Sequence, residues 1–220
     1  MRQRSAPFGR RPVPEARSLG PRFARARSDL VRLCALAACL LPLAAAAEPR
    51  TYHIDPEHFG IAFKVMHIGY HRVPGLFLKG EGSFVFDEEV PALSDLRVTI
   101  EAASVFTDHE ARDGHLRSGD FLDAEAHPRI TFVMTGAEPT GERTGIVRGD
   151  LTLRGVTRPV DLDVTWNKSG RYPWGDHYVT GITARTTIRR SDFGSVYALD
   201  GDLVGDEVAI EIELEAIREE

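Results

Sequence analysis

Cysteine is almost missing from this chain of 220 residues: Cys34 and Cys39 are the two there are, and none follows position 39. The rest of the chain therefore has no disulfide, no thiol nucleophile and no thiolate metal ligand. Long hydrophobic runs are scarce as well. The stretch Leu33–Ala47 (LCALAACLLPLAAAA) is uncharged and apolar, but too short to cross a bilayer comfortably as a helix. That argues against stable membrane insertion. Also absent are a G-x-S-x-G elbow, an H-E-x-x-H helix and a glycine-rich phosphate loop, the signatures of serine hydrolases, zinc proteases and many nucleotide enzymes.

Charge is unevenly distributed. Residues 1–32 hold nine of the 27 basic residues, all arginine, against two acids, Glu15 and Asp29. A basic region, an apolar run and a small-residue end at Ala44–Ala47 are the order of a secretory signal peptide. Residues 1–47 are therefore read as a leader with a long basic region, and 48–220 as the exported domain. Arg10-Arg11 lies too far from the apolar run for a twin-arginine signal, and LAAC (Leu36–Cys39) leaves lipid anchoring at Cys39 as the alternative. Cleavage near Ala47 leaves 27 − 9 = 18 basic and 33 − 2 = 31 acidic residues, a net charge of −13. Such a surface argues against nucleic acid as a partner.

After the leader, alternation with a period of two dominates. Phe59, Ile61, Phe63, Val65 and His67 share one face. So do Leu96, Val98 and Ile100; Ile130, Phe132 and Met134; Val160, Leu162, Val164 and Trp166; and Val208, Ile210, Ile212 and Leu214. Further strands are expected at 75–87, 144–154 and 176–189. One dry and one wet face suits antiparallel pairing. About eight such strands can close into a barrel without exposed edges and hold one small ligand inside. Gly80 and Gly82 within a strand read as a bend or bulge.

One stretch breaks the pattern. Thr107-Asp108-His109-Glu110 reads as a T-x-x-E capping box, predicting helix over about 108–122, weakened by Gly114 and Gly119 and closed by Pro128. His109 and His115 are six apart, about 240° around a helix, so they cannot share a metal, and no metal site is expected. Glu110, Arg112, Asp113 and Arg117 read as surface ion-pair partners, and Ser118 as the cap of a second short turn. Phe121, Phe193, Trp166 and Trp174 are each core or pocket wall. His67, in phase with its apolar neighbours, is expected on the inner face.

Four blocks carry a family resemblance. YHIDPEHFGIAFKVMHIGYHRVPGLFLKGEGSFVFD (52–87), DHEARDGHLRSGDFLDAEAHPRITF (108–132), GDLTLRGVTRPVDLDV (149–164), and RSDFGS with VGDEVAIEIELEA resemble, in order, those of the YceI-like family. These are polyisoprenoid-binding, lipocalin-like barrel proteins. The resemblance implies an all-β fold with a short helical insertion: an extended eight-stranded antiparallel barrel. It implies a bound isoprenoid lipid, such as a polyprenyl phosphate or isoprenoid quinone, with no catalytic cofactor, and a periplasmic location. It also raises a homodimer. Leu122 and SVYAL (195–199) depart from the family's pattern and bear on tunnel shape.

The leading expectation is thus a periplasmic carrier or store for an apolar chain, not an enzyme. Its pocket wall or head contacts would be Phe59, Ile61, Phe63, Val65 and His67; Leu116 and Phe121; Ile130 and Phe132; Val164 and Trp166; and Phe193. Two alternatives stand beside it. One is a lipid-head-modifying enzyme using His67 or His115 with a carboxylate, which requires a His–carboxylate pair facing the cavity. The other is a ligand-free interaction protein with a filled interior.

Overall fold

Alternation becomes a closed sheet. The computed structural model describes residues 48–220; the readings of a leader and of a Cys39 anchor fall outside the described residues. The strands are β1 (Arg50–His67), β2 (His71–Phe77), β3 (Gly80–Asp87), β4 (Ala92–Glu101), β5 (Val105–Phe106), β6 (Arg129–Pro139), β7 (Thr144–Leu153), β8 (Val156–Arg171), β9 (Tyr178–Arg189) and β10 (Val204–Arg218), with one helix, α1 (Glu110–Arg117). The antiparallel order β1-β3-β4-β6-β7-β8-β9-β10 returns to β1, closing an eight-stranded barrel. The expected fold class is the observed one.

The ten strands differ from the expected count of about eight in two places. The strand expected at 75–87 is two, β2 and β3, interrupted at Leu78-Lys79. Both run beside β1, β2 against Ile61–His67 and β3 against Arg50–His53. The two-residue β5 lies outside β2. β1 itself is broken between Ile54 and Phe59, where Asp55–His58 bulge away from β10. The β7–β8 hairpin turns at Arg154-Gly155, both at positive φ (53° and 73°), as a tight two-residue turn between right-twisted strands requires.

The polar interruption forms a cover over one end of the barrel. The helix is shorter than its capping box suggested. Its N-cap is His109, whose side chain accepts from the Arg112 amide at 3.2 Å, and not Thr107. Thr107 is buried instead. Its amide and hydroxyl both donate to Asp113 Oδ1, so Asp113, expected at the surface, is 4% exposed. After α1 the chain runs through turns. Ser118 Oγ donates to the His115 carbonyl and accepts from the Asp120 amide, capping a turn.

Three arginines fasten this cover. Arg112 donates to the Thr107 carbonyl, Arg117 to the carbonyls of Ala103 and Val105, and Arg154 to those of Gly119 and Phe121, at 2.6–3.1 Å. A segment without regular ladders leaves carbonyls unpaired, and buried ones need donors. The opposite end of the barrel is plugged by Tyr52, Phe84, Phe86 and Ala216. There Glu88 accepts from the hydroxyls of both Tyr52 and Tyr178.

Candidate ligand-binding cavity

Between plug and cover the inward side chains do not meet. They surround a cavity of about 210 Å³, many times the roughly 10–15 Å³ that a single water needs. The wall follows the alternation. β1 contributes Phe59, Ile61, Phe63 and Val65, β8 contributes Val160, Leu162 and Val164, and β10 contributes Val208, Ile210, Ile212 and Leu214. Ile130 and Phe132 come from β6, and Leu116, Phe121 and Leu122 from the cover. Three polar residues join the lining: Thr186, Arg190 and Ser195.

Glycines on neighbouring strands keep the space open. A β-carbon on Gly75 would stand 2.2 Å from Phe63 Cζ, one on Gly149 2.2 Å from Phe132 Cζ, and one on Gly80 2.4 Å from Phe59 Cε1. Each phenyl ring lies flat over bare backbone, so three large residues occupy the wall and leave the lumen free. Gly80, expected as a bend, is such a seat.

Nine of the twelve residues read as wall from the sequence are in the lining; His67, Trp166 and Phe193 are not. Strict alternation would turn His67 inward. The β1–β10 register slips between Val65 and His67, however, and His67 emerges exposed beside its cross-strand partner His71, with ring centroids 6.2 Å apart. Trp166 packs edge-on against Phe86 at 5.2 Å and donates to Ser169 Oγ at 2.8 Å, so it belongs to the plug side. Phe193 is 2% exposed and packs in the core cluster with Ile61 and Ile188. Trp174, read as core or wall, is neither: it is 85% exposed on the β8–β9 hairpin.

Among the described residues neither a histidine nor a carboxylate lines the cavity. His115 Nε2 does meet Asp120 Oδ2 at 2.9 Å, but that pair stands on the cover with both side chains about half exposed. The His115 ring packs edge-on against Phe121 and Tyr197, at 4.9 Å from each.

The sequence reading missed Arg190 and Ser195. Both are buried, and RSDFGS offered only a turn signal. Arg190 donates from Nε to the Gly205 carbonyl, from Nη1 to that of Ser195 and from Nη2 to that of Val204, at 2.8–2.9 Å. Burial pushes its guanidinium below the ordinary arginine value, and the charge of Asp206 counters this in part; an arginine nonetheless stays charged.

One metal-type cluster escaped the sequence because its members are far apart in the chain. Asp55 and His58 of the β1 bulge and Glu215 of β10 place ligand atoms within 4.8 Å of one another. Asp55 Oδ2 and His58 Nδ1 are already hydrogen-bonded at 2.7 Å. Burial raises the Asp55 carboxyl, but hydrogen bonds from His58 and the Glu57 amide outweigh it and hold the group below its ordinary value. The bond to Asp55 raises His58. This pairing ties down the bulge outside the cavity.

Comparison with known proteins matches this geometry. The YceI-like domain family matches residues 52–216. A UPF0312 protein of Pseudomonas savastanoi pv. phaseolicola is 43% identical over 145 residues, 65% of this chain and 75% of that protein. The Campylobacter jejuni YCEI protein structure is 31% identical with a TM-score of 0.60, covering 67% of this chain and 86% of that one. A polyisoprenoid binding domain from Saccharophagus degradans, implicated in plant cell wall breakdown, has a TM-score of 0.59 over 76% of this chain and 98% of its own; at 14% identity the likeness is one of fold.

Proposed function

The chain belongs to the YceI-like family, and on that footing we propose that it binds an isoprenoid or similar long-chain lipid in the barrel and carries or stores it in the periplasm. The observation that carries this reading is the cavity, with its almost wholly apolar wall and its rings seated over glycines. Enclosing an apolar chain is strongly favourable: at about 0.8 kcal/mol per buried CH₂, a five-carbon isoprene unit is worth roughly 4 kcal/mol before entropic costs. The fold likeness to a polyisoprenoid binding domain supports the choice of ligand class. The basic-then-apolar leader over 1–47 supports the location.

Binding accounts for the cavity better than catalysis does. A general base must lie within hydrogen-bond reach of its substrate, and the half-exposed His115–Asp120 pair is not part of the lumen's lining. A filled, ligand-free interior does not fit a wall that stops short of its own centre. The test is native mass spectrometry of the protein purified from cells, with extraction of whatever co-purifies. A bound lipid carrying a long apolar chain is expected. Protein that is ligand-free after gentle purification, and that takes up no added isoprenoid, would overturn the proposal.

A further inference from the structure

The first and last strands of the barrel lose their pairing over one short stretch, and three metal-type ligands meet there. Ile54 pairs with Ala216 and Phe59 with Leu214, so Asp55–His58 of β1 stand opposite the single residue Glu215 of β10. In a regular strand the backbones of Asp55 and His58 would lie about 10 Å apart, three steps of roughly 3.3 Å. The bulge brings their side chains together instead. Asp55 Oδ2 and His58 Nδ1 are 2.7 Å apart, and Glu215 Oε2 is 3.9 Å from the same nitrogen. All three ligand atoms lie within 4.8 Å of one another. A bulge gives up ladder hydrogen bonds, and a recurrent use of one is to re-aim side chains. This one gathers two carboxylates and an imidazole, from opposite ends of the barrel sequence, into one small volume.

The spacing suits an ion. Ligands at about 2.0–2.1 Å around a tetrahedral zinc stand roughly 3.3 Å from one another, between the 2.7 Å and 3.9 Å found here. The first gap must open and the second close by only about 0.6 Å each to reach that spacing. Glu215 meets His58 beyond hydrogen-bond range, so no such bond between them resists the closing. The imidazole decides the class of metal. Magnesium and calcium prefer oxygen ligands alone, whereas zinc and its neighbours accept nitrogen together with carboxylate. Asp55 and Glu215 are half-buried and His58 is exposed. His58 and Glu215 also line a groove with Tyr172, which gives an ion a way in. His177 stacks on Tyr172 at 4.7 Å and its charge reaches Asp55, so a second imidazole stands beside the cluster. We propose that Asp55, His58 and Glu215 bind one divalent transition-metal ion of the zinc class, with water completing its coordination, and that the ion ties β1 to β10 where their ladder is interrupted. The ion takes the place of the hydrogen that Asp55 and His58 share. The site lies outside the lumen and does not depend on what the lumen holds.

The test titrates zinc chloride into the purified protein by calorimetry near neutral pH. One ion per chain is expected at this site. Glu215→Gln keeps the shape of the side chain and removes its charge. It is expected to bind zinc more than about tenfold more weakly, since even the outer-shell partners of a metal are worth ten- to a hundredfold in affinity. His58→Gln is expected to lose the site. Zinc should also raise the thermal unfolding midpoint of the wild type and leave that of Glu215→Gln unchanged, because an ion that binds only the closed seam stabilises the fold by mass action. His67 and His71 form another imidazole pair, across β1 and β2, so His71→Ala is the control and is expected to keep the full zinc affinity. Zinc binding that disappears in His71→Ala, or that is unchanged in both Glu215→Gln and His58→Gln, would overturn the assignment. Magnesium binding as tight as zinc would overturn it too, since that is how a cluster of carboxylates alone behaves.

Discussion

Replacing Gly149 by alanine separates the stability of this barrel from its capacity. The new methyl would stand 2.2 Å from Cζ of Phe132 and 2.7 Å from both Cε atoms. Ordinary contact begins near 3.4 Å, so the ring must retreat by at least 3.4 − 2.2 = 1.2 Å. In a filled core that would cost about 1–3 kcal/mol of overpacking. Here the ring has a void to move into, and alanine itself is favoured over glycine in a strand by about 0.5–1 kcal/mol. The net loss of stability should therefore be roughly 0–2 kcal/mol in urea denaturation followed by circular dichroism. The lumen bears the consequence. A ring moved inward by this much displaces one or two methylenes of a bound chain, about 0.8–1.6 kcal/mol, or roughly four- to fifteenfold in affinity for geranylgeraniol. Adding Phe132→Leu, which removes the displaced ring, should restore most of the binding. Unchanged affinity in Gly149→Ala, or a loss of stability above about 3 kcal/mol, would refute the argument that the glycines are seats for wall rings.

Three further predictions concern the polar groups. Asp113→Ala leaves the buried Thr107 amide without its acceptor and should cost about 2–3 kcal/mol, with residues 107–128 becoming protease-sensitive; a change below about 0.5 kcal/mol would mean that water replaces the carboxylate. In the plug, burial first, then the hydrogen bond and charge of Glu88, hold the Tyr52 and Tyr178 phenols above the ordinary 10.0. Their contribution is whole below pH 10.0 and lost as pH rises through the folded values, so stability should fall only in alkali, and phenolate absorbance should rise together with unfolding. A reversible titration of both phenols near pH 10.0 in the folded protein would contradict this. On the bulge, His58 stabilises below its unfolded 6.5 and loses that effect as pH rises through its raised folded value, while Asp55 does so above 3.8 and loses it as pH falls. The pair is thus at full strength between pH 3.8 and 6.5. Proton NMR should show the His58 imidazolium persisting above pH 6.5, and Asp55→Asn should return it toward that value.

What could be read from the sequence was whatever depends on strand alternation. Phe59, Ile61, Phe63 and Val65 reached the wall because each neighbour in the ladder keeps the same phase. His67 broke the rule one step later, since a register slip is set by the partner strand and leaves no mark on β1 itself. The cover was legible as a cover but not in its fastening. Arg112 and Arg117 seemed made for neighbouring acids, yet both bond to main-chain carbonyls, as does Arg154 of the β7–β8 turn. Unpaired carbonyls are a property of irregular backbone, which residue types do not reveal. Arg190 was hidden for a related reason: its burial comes from the β9–β10 connection folding back over it.

The pairing of β1 with β10 also governs how the molecule can form. Tyr52 lies opposite Arg218 and Val65 opposite Val208, so the seam joins the first and last strands of the barrel. Nearly the entire intervening chain must be looped before this contact gives anything back, and pairings of such long range fold slowly. Until β10 arrives, β1 and β9 are both open edges, each with a row of unpaired amides and carbonyls beside exposed isoleucine, phenylalanine and valine. During synthesis the fold cannot be completed before the last strand is available. The unfinished sheet is therefore the species at risk of aggregation, and a helper that shields those two edges would raise the yield of native protein more than one that acts on the closed barrel.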